Sequence, residues 1–166
     1  MKINDIVLIY DYNYWATKRL LMAAANVSPE QFVAPRAFPH GSLRGTFVHL
    51  LDAEYGWRVL CQQGLETKDL TENDFPTMDA LEIRWLDEEA AMRVYLGGLK
   101  DEDMTGLIRY TTPSGIKRER VLWHCLYHVA NHGTQHRSEA AAILTELGHS
   151  PGDFDFSIFM LEKKRP

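Results

Sequence analysis

The chain has 166 residues and a net charge of −5, with 45% hydrophobic and 25% charged residues. This length predicts one domain over residues 1–166, and this composition excludes a largely disordered chain. Nucleic acid is excluded as a partner because a surface that binds phosphates needs a basic stripe, whereas the basic residues here form only short clusters at 117–120 and 163–165. We interpret these clusters as a solvated surface and a frayed tail.

The sequence predicts a cytoplasmic protein that does not cross a membrane. No apolar run approaches the ~18 residues that span a bilayer, and the apolar run at 6–9 is too short for an export signal. Cys61 and Cys125 lie within helical patterns and form no paired framework, which suits a reducing compartment. We therefore expect both to be small buried hydrophobic residues.

Two helices are predicted in the first half of the chain. The first covers about 4–26 and stops at Ser28-Pro29. After a loop that contains prolines, Ser42 is the predicted N-cap of a second helix that reaches residue 63 and ends at Gly64.

The second half contains two more long helical patterns with a small hairpin between them. A polar loop at 65–77 leads to a third helix over about 78–99, and LIRYTTPSGIKRER then predicts two short strands joined by a turn at 112–115. The last long helix covers about 120–147 and ends at Gly148. The aromatic tail that follows needs a surface to cover, either on the helices or on a second subunit. The fold class is therefore all-α, a four-helix bundle with a small hairpin before the last long helix.

The last helix carries histidines at intervals of four, at positions 124, 128, 132 and 136. This spacing places them on one broad helical face. The apolar stripe of the same helix, followed from Val129 to Ala140, has a gap that falls on 132 and 136. His132 and His136 are therefore predicted to face the core, with His124 and His128 to one side.

An i, i+4 histidine pair can bind one ion but leaves the third ligand to another helix. His49 lies on a stripe of small residues in the second helix, so it can face His132 and His136 across a close helix contact. The predicted result is a site of three histidines with open coordination positions. His40 and His149 lie outside the predicted helices. The alternative for each inward histidine is an ordinary core residue with a hydrogen-bond partner.

Several known site types are excluded by the residues that are missing. The segment 132–136 lacks the glutamate that zinc proteases use as a base, and only one Glu-x-x-His occurs, at 146–149, where di-iron bundles need two. The sequence contains no glycine-rich phosphate loop and no Gly-x-Ser-x-Gly elbow.

Three segments together resemble the DinB family of DinB/YfiT-like metalloenzymes. They are YDYNYWATKRLL (10–21), GSLRGTFVHLLDAEYGWRVL (41–60) and HVANHGTQHRSEAAAILTELG (128–148), and the DFDF segment resembles the family's closing stretch. The resemblance implies an up-down-down-up four-helix bundle, frequently a homodimer, with one divalent metal ion on His49, His132 and His136. The expected ion is zinc or nickel, with iron or copper as alternatives, although imidazole ligands suit all four metals alike.

The resemblance also implies a class of function. Relatives in the wider superfamily include transferases and isomerases that depend on low-molecular-weight thiols, so a thiol-dependent S-transferase with a small-molecule substrate is the leading hypothesis. The first alternative is a non-catalytic metal-binding protein of a stress response, whose ion stabilises the bundle. The second is an interaction module with a vestigial site.

Several further residues match family positions without being ligands. Where the family often has His-Arg-Gly-Gln, this chain has His-Arg-Ser-Glu at 136–139. One interpretation of Glu139 is a carboxylate near the site. The favoured interpretation is a surface or interhelical ion pair. His128 is a candidate to support a ligand. Asp52 or Glu54 could orient His49, but only one of them can face inward. The first-helix matches are expected to pack and hydrogen-bond between helices; they are Asn13, Trp15 and Arg19.

Overall fold

The chain folds mainly into α-helices, as the all-α part of the predicted fold class requires. A computed structural model describes residues 1–112 and 114–163. The helices are α1 (Ile3–Ala24), α2 (Pro29–Val33), α3 (Leu43–Gln63), α4 (Met78–Gly97), α5 (Leu122–Glu146) and α6 (Phe156–Lys163). Strands β1 (Leu107–Thr111) and β2 (Lys117–Val121) form the predicted hairpin. Among the helices of the described residues, none combines the length and the hydropathy needed to cross a membrane.

The predicted capping residues act as expected, whereas the structure adds the short helix α2 and begins the last long helix later than predicted. Ser42 Oγ accepts a hydrogen bond from the Gly45 amide, and Gly64 has a left-handed φ of 70° that ends α3. Ser28-Pro29 was predicted only to stop the first helix, but it also begins α2, because serine is an N-cap and proline is favoured in the first helical turn. The last long helix was predicted from residue 120, whereas β2 occupies the chain as far as Val121. Pro113 of the predicted turn and residues 164–166 of the basic tail lie outside the described residues.

Two apolar clusters occupy different levels of the helices. The first contains Phe47 and Leu51 of α3 with Ile143 of α5, all fully buried. The second contains Cys61 of α3 and Leu126 of α5. Both clusters also include residues of α1 and α4, and α3 packs against α5 and α4 while α1 packs against α5 and α4. The four long helices therefore bury their apolar faces against one another.

The short helix α6 covers part of α1. The Phe159 ring lies 5.9 Å from the Tyr12 ring and 5.6 Å from the Trp15 ring. Glu162 accepts hydrogen bonds from Trp15 Nε1 at 2.8 Å and from Arg19 at 2.6 Å. Phe159 of the aromatic tail thus packs on a helix of its own chain, and Trp15 and Arg19 have the packing role predicted for them.

A buried group of polar side chains lies where the two apolar clusters meet, and we call Asn13, Tyr14, Glu54 and Arg137 the polar layer. Arg137 is only 1% exposed and donates to Asn13 Oδ1. Asn13 Nδ2 in turn donates to Glu54 at 3.0 Å, and the Tyr14 hydroxyl donates to the same carboxyl group at 2.6 Å. These bonds connect α1, α3 and α5, because each buried polar group needs a partner in the dry interior.

The polar layer requires a glycine at position 133. A Cβ atom there would lie 2.7 Å from Arg137 Nη1 and 2.9 Å from Asn13 Oδ1. We predict that Gly133→Ala lowers the free energy of unfolding by about 1–3 kcal/mol, since the added methyl displaces a buried hydrogen-bonded pair. Urea unfolding measures the change. Gly97→Ala, with nothing within 4 Å of the new Cβ, is the matched control and should be neutral or stabilising by up to ~1 kcal/mol. Equal effects of the two substitutions would contradict the prediction.

Glu54 makes the stability of the fold depend on pH. Burial raises the pKa of Glu54 from 4.5 to about 7. As the pH rises between these values, the unfolded chain releases this proton while the folded chain keeps it, so the folded state loses stability. We predict that wild type loses up to roughly 1.4 kcal/mol per pH unit across this window relative to Glu54→Gln.

Urea unfolding of chelator-treated protein between pH 4.5 and 8 tests this prediction. Glutamine presents an amide nitrogen to the Asn13 donor, so the variant carries a constant penalty, and the slope with pH is the informative quantity. The exposed Glu82→Gln is the control and should follow the wild-type slope. A difference between Glu54→Gln and wild type that stays constant with pH would contradict the assigned pKa.

Candidate metal centre

The three histidines proposed from the sequence lie close together between α3 and α5. His49 Nε2 lies 3.1 Å from His132 Nε2. The His136 ring centroid is 4.6 Å from that of His49 and 4.4 Å from that of His132. Ser42 fixes the start of α3 and so sets the position of His49, while His132 and His136 are one turn apart on α5. The facing positions predicted from helical spacing are therefore found in the fold.

The separation of the first two imidazoles is close to that of two ligands of one ion. Nitrogen ligands lie about 2.0–2.1 Å from zinc, so two of them at a tetrahedral angle are about 3.3 Å apart. The 3.1 Å between His49 Nε2 and His132 Nε2 is nearly this value. Without an ion, the same pair forms one hydrogen bond in which a single ring supplies the proton. The arrangement suits either one shared proton or one shared cation.

A fourth imidazole, from His40, borders the same space and was not expected from the sequence. Its ring stacks on His49 with centroids 3.8 Å apart and lies 4.9 Å from the His136 ring. The ligand atoms of His40, His49 and His136 lie within 4.8 Å of one another. This trio shares His49 and His136 with the trio predicted from the sequence, and it contains His40 in place of His132.

A glycine in α3 holds the His40 loop against the helix. A Cβ at Gly45 would lie 2.1 Å from the His40 carbonyl oxygen, so only glycine permits this approach. Gly41, with a φ of 71°, turns the chain between His40 and the Ser42 cap. Helical periodicity cannot locate a loop histidine, but the glycines at 41 and 45 were a sequence signal that the loop turns back onto α3.

The imidazoles of His40, His49 and His132 favour the uncharged form. Burial, together with the repulsion of like charges on the neighbouring histidines, lowers the pKa of His49 to about 4. Burial and His136 act in the same way on His132, whose pKa is also about 4. The pKa of His40 is lowered by burial and by His136. Neutral imidazole is the form that binds transition metals.

Glu139 contacts the cluster directly. Its Oε2 lies 2.7 Å from His136 Nδ1 within the same helix. The favoured interpretation of Glu139 as a surface or interhelical ion pair is therefore replaced by a hydrogen bond to a candidate ligand. This contact makes Nδ1 the donor and leaves Nε2 of His136 free to bind an ion.

The other predicted residues lie outside the cluster. His128 is exposed and its ring is 5.8 Å from that of His132, while His124 is exposed on the same helix. Glu54 belongs to the polar layer with Asn13. Asp52 accepts a hydrogen bond from the Leu70 amide at 2.7 Å. Asp52 and Glu54 therefore hydrogen-bond to residues other than His49.

Comparison with known proteins gives a consistent assignment. The sequence profile of the DinB family matches residues 1–165. The chain is also similar to "Protein DinB" of Bacillus subtilis (strain 168), with 22% identity over 162 residues that cover 94% of each chain. The profile match includes the first-helix segment, His49 and the segment that carries His132 and His136. This chain belongs to the DinB family.

Proposed function

We propose that this protein binds one divalent transition metal ion through His49, His132 and His136 and is a thiol-dependent transferase. The observation that carries the proposal is the approach of His49 Nε2 to His132 Nε2 at 3.1 Å across two different helices. A contact of this kind joins two groups that each offer a lone pair, which a cation satisfies more fully than a single shared proton.

The proposal includes an up-down-down-up bundle of α1, α3, α4 and α5. Tyr10 of α1 hydrogen-bonds to the Leu126 carbonyl, and Asn13 contacts Arg137. Later residues of α1 therefore contact later residues of α5, which supports a common direction of these two helices. The contacts that support a common direction of α3 and α4 are Phe47 with Trp85 and Arg58 with Glu88. In this arrangement the first third of α3, which carries His49, faces the middle of α5, which carries His132 and His136.

Glu139 is the proposed positioning residue of the site. Its carboxylate accepts a hydrogen bond from His136 Nδ1 and fixes both the tautomer and the ring orientation. In the proposed site the chain supplies three neutral rings, so the bound ion keeps its full positive charge.

A bound ion of this kind supplies Lewis-acid chemistry, lowering the pKa of a thiol or water that contacts it. Support for a small-molecule substrate comes from a cavity of about 500 Å³ that is lined by Trp57, Arg120 and His128, among others. His128 lines this cavity, and its ring lies 5.8 Å from the His132 ring. The proposed transfer joins the sulfur of a low-molecular-weight thiol to an electrophile, whose leaving group departs while the thiol loses its proton.

A second candidate function is a non-catalytic metal-binding protein, for instance in a stress response. The observation that favours it is His40, whose ring stacks on His49 and offers a fourth imidazole. Four protein ligands close the coordination shell, as in structural metal sites, whereas three leave a position for substrate. The number of histidines that bind the ion therefore separates the two candidates.

We also propose a cytoplasmic homodimer. The support is the family resemblance together with two free buried cysteines, which suit a reducing compartment. Light scattering of the purified protein tests the oligomeric state.

We predict that the purified protein binds one equivalent of zinc or nickel and that His49→Ala and His132→Ala abolish this binding. Each substitution removes one of two facing nitrogen ligands. Elemental analysis after gel filtration and the metal-induced rise of the unfolding midpoint are the readouts, the second following from preferential binding to the folded state. Glu139→Gln should weaken binding about 10–100-fold because the supporting hydrogen bond to His136 loses its charge.

The exposed His124→Ala on the same helix is the matched control and should bind metal as wild type does. Undiminished metal content in His49→Ala or His132→Ala would refute the proposed site. His40→Ala distinguishes the two candidate functions: retention of the ion supports the open three-histidine site, and loss of the ion supports the closed one.

We predict that the metal-loaded protein accelerates the reaction of a low-molecular-weight thiol with an aromatic halide. The acceleration should disappear in His49→Ala and on chelation, because the thiol then loses the ion that favours its thiolate form. Release of the chromophoric thioether, followed across a panel of thiols, measures the rate. A protein that binds metal but accelerates no thiol in the panel would favour the non-catalytic candidate.

A further inference from the structure

The two cysteines of the chain lie side by side although 64 positions separate Cys61 from Cys125. Cys61 is in the last turn of α3 and Cys125 in the first turn of α5, where these helices pack together. Both thiols are free, both residues belong to the second apolar cluster, and the two side chains are close enough for each to shift the pKa of the other. A pair of adjacent thiols on two different helices is the starting geometry for a disulfide.

The two thiols differ in what surrounds them. Cys125 is one of the residues lining the open cavity of about 500 Å³, together with Arg120 and His124, whereas Cys61 is not among those residues. An incoming small molecule in the cavity thus meets Cys125 first. Cys61 lies beside it, within reach of its sulfur.

The charges around the pair favour Cys125 as the reactive thiol. The neighbouring Cys61 thiol lowers the pKa of Cys125, and the positive charge of Arg120 acts in the same direction. The neighbouring Cys125 thiol and burial raise the pKa of Cys61. A thiolate attacks disulfides whereas a thiol does not, so Cys125, which lines the cavity although it is only 2% exposed, carries the nucleophile.

We propose that Cys61 and Cys125 form a redox-active dithiol that reacts with low-molecular-weight organic disulfides, with Cys125 as the attacking and Cys61 as the resolving residue. The Cys125 thiolate attacks one sulfur of the disulfide, which forms a mixed disulfide and releases the first thiolate. Cys61 then loses its proton and attacks Cys125 Sγ, which forms the Cys61–Cys125 bond and releases the second thiol. The protein loses two electrons and two protons, and the organic disulfide gains them as two thiols.

This activity is separate from the proposed metal centre. Cys61 is twelve residues beyond His49 on α3, about 18 Å along the helix axis. Cys125 lies in the first turn of α5, before all the candidate ligands of that helix. The disulfide would join by a covalent bond the two helices that carry the histidine cluster.

The test uses the full-length, chelator-treated protein and oxidised glutathione as the probe. After incubation, free thiols are alkylated and the intact mass is measured without reduction. The expected product is a monomer lighter by two hydrogen atoms that carries no alkyl group. Two alkylated thiols in folded protein, under conditions where denatured protein reacts, would overturn the proposal.

Variants assign the order of attack. Cys61→Ser should accumulate one glutathione on Cys125, since the resolving thiol is missing, and Cys125→Ser should remain unmodified at Cys61. Modification of Cys61 in Cys125→Ser as fast as that of Cys125 in Cys61→Ser would overturn the assigned roles. Because a buried serine could itself disturb the fold, Cys61→Ala and Cys125→Ala are tested in the same way, and circular dichroism verifies that each variant is folded.

Arg120→Gln tests the electrostatic role of Arg120 through the rate and the pH profile of the Cys125 reaction, which a packing role alone would not change. Removal of its positive charge should slow the glutathionylation of Cys125 in the Cys61→Ser background severalfold and shift its pH profile upward. Arg118→Gln, on the same strand, is the matched control and should leave the rate unchanged. Equal rates for all three proteins would overturn the role of Arg120.

Discussion

The packing of α3 against α5 is the contact on which the other features of this molecule depend. It places His49 opposite His132 and Cys61 beside Cys125. Close approach of two helices excludes water from the side chains between them, so each buried polar group must find a partner within the protein. Imidazoles that face one another in this setting cannot all be protonated, and burial together with mutual repulsion keeps them neutral.

The polar layer explains how this contact keeps its register. Arg137 follows His136 in α5 and donates to Asn13 of α1, which also bonds to Glu54 of α3. A buried cation that loses its partner is costly, so a shift of α5 by one turn would leave Arg137 without Asn13. Gly133 makes room for this pair, one residue after His132. The residues that interleave with the ligands along α5 thus hold the helix at the height where the histidines meet His49.

The sequence was informative wherever one helix determines its own geometry. The gap in the apolar stripe identified His132 and His136, and Ser42 and Gly64 marked the ends of the helix that carries His49. What depends on contacts between distant segments was less accessible. His40 reaches the cluster through a loop, Cys61 meets Cys125 only after α3 and α5 pack, and Glu54 was a candidate to orient His49 but bonds to α1. Periodicity reports which face a residue occupies; the partner across that face is fixed by tertiary packing.

The convergence of His49, His132 and His136 on one cation is the central claim, and anomalous X-ray scattering from crystals of the zinc- or nickel-loaded protein tests it most directly. The account predicts one peak at the absorption edge of the added metal, between α3 and α5, within about 2.3 Å of a nitrogen of each of the three rings. Its distance from His40 distinguishes three ligands from four. A fully loaded crystal with no peak at this position, or with the three rings turned away from the ion, would contradict the account.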